Sequence, residues 1–110
     1  MIQVEIRYLN DKFYSLSILG HGGEEKGEDI YCAGVSSCLI GALNALTSAE
    51  NYSLDIQSGD SKVECKQVSS QHDEIVMETL ITQLQTIAKS YPEHVQIKVS
   101  KKEGKLWNWI

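Results

Sequence analysis

The chain lacks a cysteine framework. Its three cysteines, at positions 32, 38 and 65, are odd in number and never spaced as CxxC, which argues against a disulfide scaffold and the usual zinc patterns. Free thiols in a reducing compartment are the expectation, and the pattern implies no cofactor. No apolar run approaches bilayer-spanning length, so no membrane partner is expected. The opening Met1-Ile2-Gln3-Val4-Glu5-Ile6-Arg7 carries charge early and alternates in polarity, unlike an export signal. Linkers, low-complexity tracts and internal repeats are missing. An excess of positive charge is missing too: the formal net charge is -5. That argues against direct nucleic-acid binding and favours encounter with a basic partner.

What is present suffices for one core. The 110 residues, 42% of them hydrophobic, are read as a single domain over residues 1–100 with a tail over 101–110. The tail carries Trp107 and Trp109 and is read as a loose end or a subunit contact. Ile2 to Leu9 alternates, with Ile2, Val4, Ile6 and Tyr8 on one face. Asn10-Asp11 makes a turn, and Lys12 to Leu19 follows with Tyr14, Leu16 and Ile18 facing inward, completing a hairpin. Helical spacing runs from about Ile30 to Ala49, and its small residues suggest close packing and burial on more than one side. Ser53 to Gln57 and Lys62 to Gln67 flank Ser58-Gly59-Asp60-Ser61 as a second hairpin. Ser70 with Asp73 signals a helix start, Ile75, Val76, Thr79, Leu80, Leu84, Ile87 and Ala88 trace one face, and the helix ends before Pro92. His94 to Ser100 reads as a last strand. The order is ββαββαβ, an α+β fold with a largely antiparallel sheet and two helices packed on one face.

The informative segment is Gly20-His21-Gly22-Gly23-Glu24-Glu25-Lys26-Gly27-Glu28-Asp29-Ile30-Tyr31-Cys32-Ala33-Gly34-Val35-Ser36. A histidine closes a strand-like run, four glycines fall within eight positions, and a cysteine opens a helix-like run. Asp29 is a good N-cap three residues before Cys32. A thiol near a helix N-terminus is easier to ionise, and a histidine within reach supplies the base a thiol nucleophile needs. Unpaired N–H groups at the helix start could also hold an oxyanion. Asp29 is read first as a cap and alternatively as the group that orients His21. Ser36, one turn beyond Cys32, either lines the site or bonds back to the backbone. His21, Asp29 and Cys32 lack a recognisable fourth ligand, so no metal is expected.

The other thiols read differently. Alternation points Cys65 inward with Val63. Cys38 lies about 240° around the helix from Cys32 at ~100° per residue and reads as core. His72 and His94 read as surface residues.

The Gly20-His21 pair, the Asp29-Ile30-Tyr31-Cys32-Ala33 box and the trailing Ser36 together resemble the ribosomal-processing cysteine protease (Prp) family, and the resemblance covers nearly the whole chain. It implies a cysteine endopeptidase that removes an N-terminal extension from a large-subunit ribosomal protein, the twenty-seventh in its series. It implies a cytoplasmic homodimer with His21 and Cys32 catalytic, Asp29 and Ser36 supporting, and a substrate loop containing Gly22, Gly23 and Gly27. Tyr31 stands where the family commonly has an aliphatic residue, and Gly22 where alanine is common. Substrate side-chain preference is therefore the inference these departures touch. The rival reading is a non-catalytic ribosome-associated module whose cleft holds a peptide without cutting it.

Overall fold

The computed structural model describes residues 1–22 and 29–104. Gly23, Gly27, Trp107 and Trp109 lie outside the described residues, and with them most of the expected substrate loop and the tail's expected contact. The elements are β1 (Ile2–Leu9), β2 (Lys12–Gly20), α1 (Ile30–Ala45), a 3₁₀ turn (Ala49–Asn51), β3 (Tyr52–Gln57), β4 (Asp60–Cys65), α2 (Gln71–Ser90) and β5 (Val95–Lys102). The five strands form one sheet in the order β3-β4-β2-β1-β5. Three pairings are antiparallel and β1–β5 is parallel, so the expected ββαββαβ α+β architecture is the one observed. No helix among the described residues is long and apolar enough to cross a membrane.

Asn10 and Asp11 take φ of +52° and +64°, as a tight primed hairpin turn requires. The strand it starts is not the uniform alternation expected. Arg7 pairs with Ser15 but Tyr8 pairs with Phe13, leaving Tyr14 as the extra residue of a β-bulge. A bulge reverses the facing of everything on its far side. Phe13 therefore enters the core in place of Tyr14, and Tyr14 donates its hydroxyl to Glu64 instead. The Phe13 N–H is taken by Glu74 of α2 at 2.8 Å.

One apolar cluster joins Ile2, Val4 and Ile6 of β1, Leu16 and Ile18 of β2, Val63 and Cys65 of β4, and both helices. From α2 it takes Met77, Leu80, Ile81 and Leu84. The buried stripe is thus rotated from the one expected, and Ile75 is 56% exposed. The cause is Asp73, fully buried, which fixes this face of α2 against the end of α1. Asp73 Oδ1 accepts Thr47 N–H and the Thr47 hydroxyl, and Oδ2 accepts Ser48 N–H. These bonds turn the chain out of the helix, so α1 stops at Ala45 rather than Ala49. The cap expected at Ser70 is present, its Oγ accepting Asp73 N–H.

The expectation that α1 is buried on more than one side is not met. Only Val35 and Leu39 are buried on it, while Ile30 and Ile40 are exposed. Its small residues leave space rather than fill it: a Cβ added at Gly41 would meet nothing within 4 Å. Cys38 is half-buried and packs against the apolar cluster, while also lining an open groove between the helices. Cys65 is buried as expected; its thiol donates to Phe13 O, and burial pushes it up to about 12.

Candidate active site

The site forms where β2 ends, α1 begins and the β3–β4 turn closes over both. His21 is the first residue past β2, and Cys32 is the third residue of α1. The fold brings Cys32 Sγ to 3.6 Å from His21 Nδ1, within reach for proton transfer. Nδ1 is the ring nitrogen that faces the sulfur.

Asp29 is the N-cap of α1. Its Oδ1 accepts Tyr31 N–H at 3.1 Å and Cys32 N–H at 2.9 Å, and its Oδ2 accepts Gly22 N–H at 2.7 Å. Of the two expected roles, capping is the one seen, with a second function of tying Gly22 to the helix start. Burial raises the Asp29 carboxyl, but bonds from Cys32, Gly22 and Tyr31 outweigh it and hold the group below its ordinary value.

Two electrostatic expectations are corrected. The Cys32 thiol is raised, not lowered: burial disfavours the thiolate, the adjacent Asp29 carboxylate adds to this, and the Gly22 amide opposes it. A helix N-terminus lowers a thiol only if no carboxylate has already taken its partial positive charge. Asp29 has taken it. For the same reason two of the helix-start N–H groups expected to be free for an oxyanion, those of Tyr31 and Cys32, are already donating.

His21, Asp29 and Cys32 also place one nitrogen, one oxygen and one sulfur within 4.8 Å of one another. They are the group that could hold a metal among the described residues, although both Asp29 oxygens already accept N–H bonds. Ser36 faces a cavity of about 300 Å³ that reaches His21 and Cys32 and is walled by Ile2, Ile18, Val35, Leu39 and Ile56.

Two residues were not legible as part of this site. Gly59, in the two-residue β3–β4 turn, has φ of +74°, and a Cβ there would lie 2.7 Å from His21 Nε2. Its spacing signalled a turn but not which ring the turn would touch. His94, read as a surface residue, is half-buried; its Nδ1–H donates to Gly22 O at 2.7 Å. Its ring stacks on Tyr31 with centroids 4.0 Å apart and an interplanar angle of 8°. His72 is exposed as expected, with Nε2 3.0 Å from Ala45 O at the end of α1.

A family profile described as cysteine protease Prp matches residues 1–96. The ribosomal processing cysteine protease Prp of Staphylococcus aureus is 31% identical over 104 residues, covering 88% of this chain and 97% of that protein. Its Bacillus subtilis counterpart is 27% identical over 107 residues, covering 88% and 96% respectively. A solved structure of the S. aureus protease with a covalently linked product peptide superposes with a TM-score of 0.74 at 28% identity. It covers 90% of this chain and 99% of that one. Profile, relatives and architecture agree along nearly the whole length, and the chain belongs to the cysteine protease Prp family.

Proposed function

We propose that this protein is a ribosomal-processing cysteine endopeptidase in which Cys32 is the nucleophile and His21 the general base. The observation that carries this reading is the 3.6 Å approach of Cys32 Sγ to His21 Nδ1. At rest the raised thiol is neutral, so His21 takes its proton as attack begins rather than beforehand. The sulfur adds to the scissile carbonyl, and His21 then returns the proton to the leaving amine. Water, deprotonated by His21, releases the acyl group and restores the thiol. Asp29 fixes the helix start that carries the sulfur, and Ser36 lines the cavity beside it. Gly22, Gly23 and Gly27 belong to the segment over which an extended peptide enters.

The substrate is the N-terminal extension of a large-subunit ribosomal protein, the twenty-seventh of its series. Relatives named for ribosomal processing and a net charge of -5 suited to a basic substrate support this. A cytoplasmic homodimer completes the reading. The test is cleavage of the extended ribosomal protein by wild type, Cys32→Ser and His21→Ala. Both variants should lose roughly 1,000-fold or more in kcat/KM. Undiminished cleavage by Cys32→Ser refutes the nucleophile, and binding without cleavage by wild type replaces the enzyme with a peptide-binding module.

A further inference from the structure

His21 and Cys32 sit on different elements, and a 3.6 Å approach survives only if the two elements are locked together. Besides Asp29, His94 touches both neighbours of the pair. Its Nδ1–H donates to the carbonyl of Gly22, the residue after His21. Its ring face lies on Tyr31, the residue before Cys32. Tyr31 is held from a second direction by the edge-on ring of Tyr91, 5.3 Å away.

His94 is itself fixed by the sheet. Its backbone carbonyl accepts Ile2 N–H at 2.8 Å and its N–H donates to Tyr91 O at 3.0 Å. Gly22 is thus pinned on both sides, its N–H by Asp29 and its C=O by His94. The packing has no slack: a Cβ at Gly22 would stand 2.5 Å from Asp29 Oδ1 and 2.8 Å from Tyr31 Cβ.

We propose that His94 is a positioning residue for the cysteine–histidine pair, acting through its Nδ1–H bond to Gly22. Gly22 matters because it directly follows His21 and its N–H is held by Asp29, the cap that also binds Cys32 N–H, so turning the Gly22 backbone changes the sulfur's surroundings as well as the place of His21. The hydrogen bond, not the ring stack, carries the effect. It sets two backbone dihedrals beside the reacting atoms, whereas Tyr31 is also gripped by Tyr91. The inference rests on the proposed roles of Cys32 and His21, and its readout is chosen to be independent of peptide cleavage.

The experiment measures iodoacetamide alkylation of each thiol at pH 7, resolved by peptide mass, in wild type, His94→Asn, His94→Phe and His94→Ala. Asparagine presents an N–H donor close to where Nδ1 stands, while phenylalanine keeps a stacking ring without the donor. Cys32 alkylation should slow roughly ten-fold or more in His94→Phe and His94→Ala, in line with the cost of displacing a catalytic group by about 1 Å. It should stay within roughly three-fold of wild type in His94→Asn, the donor being restored. Cys65, 2% exposed, should stay unreactive in all four and report that the core is intact. A wild-type rate in His94→Phe, or equal slowing in His94→Asn and His94→Phe with Cys65 still protected, overturns the proposal. If His94→Ala unfolds, the asparagine and phenylalanine pair still decides it. A wild type that alkylates as expected but cleaves no peptide defeats the proposed function and leaves this inference standing.

Discussion

Two carboxylates hold the two ends of α1 by the same device, and only one of them has a thiol beside it. At the start, Asp29 accepts N–H bonds from Tyr31, Cys32 and Gly22. At the end, Asp73 reaches over from α2 to accept two N–H bonds and one O–H bond from Thr47 and Ser48. In each, burial pushes the carboxyl up and the bonds to it outweigh burial and keep it ionised. Asp73 is wholly buried, caps the helix exit and touches nothing reactive. Asp29 faces Cys32 and His21, and its charge opposes the thiolate it helps to position. A capping carboxylate therefore costs nothing chemically at one end of the helix, and at the other it adds to burial in disfavouring the Cys32 thiolate.

The largest effect expected is on stability, at the structural end. Asp73→Ala removes a buried acceptor and leaves three part-buried donors on Thr47 and Ser48 unpaired, which should cost about 3 kcal/mol. That lowers the thermal midpoint by roughly 10–20 °C in a domain of this size. Below the new midpoint, kcat per folded molecule should stay close to wild type; a collapse of kcat there would mean the two ends are coupled and break the comparison.

Gly59→Ala attacks the reactive end. The methyl group meets His21 Nε2 at 2.7 Å on a backbone with φ of +74°, so the ring must move. Activity should fall on the order of 100-fold, with a stability loss of only about 1 kcal/mol. Full activity in this variant would show that His21 works from another position.

Asp29→Asn sharpens the contrast in charge. The amide oxygen can still accept N–H bonds from the helix start, but the negative charge beside Cys32 is gone. The thiolate then becomes easier to form, and the pH midpoint of Cys32 alkylation should move down, raising the rate at pH 7 by roughly three- to ten-fold. An unmoved midpoint would mean that burial alone raises the thiol.

The smallest effect is the acid limb of stability, read as urea midpoints between pH 2 and pH 6. Folded Asp29 and Asp73 both lie below their unfolded values. Their stabilisation is therefore complete above about pH 3.9 and drains away as pH falls through the lower folded values. Asp73→Asn should flatten this slope, whereas a slope identical to wild type would remove Asp73 from the account.

The strands, the two helices and the Ser70 cap were readable because their signals are local: alternation, 3.6-residue spacing and a side chain bonding within its own turn. Cys32 and His21 were readable for a related reason, since each marks the end of an element the pattern already defined. The bulge at Tyr14 was not, because an unpaired residue is defined by the partner strand and not by its own sequence. Nor was the exposure of Ile75, an apolar residue on the wrong side of a stripe that Asp73 fixes from within. The raised thiol is the most instructive miss. The helix N-terminus was correctly located, but its donors were assigned to the sulfur when the cap residue had already used them.

By itself the sequence determined the architecture, the family and the pair of side chains at the junction of β2 and α1. Periodicity and caps act over a few residues and leave their record along the chain. Only the tertiary structure decided that His94 would hold Gly22, that Gly59 would face the His21 ring and that Asp29 would load charge onto the site. The first two contacts join residues far apart in sequence, and the energies of all three depend on distance and burial, which folding alone supplies.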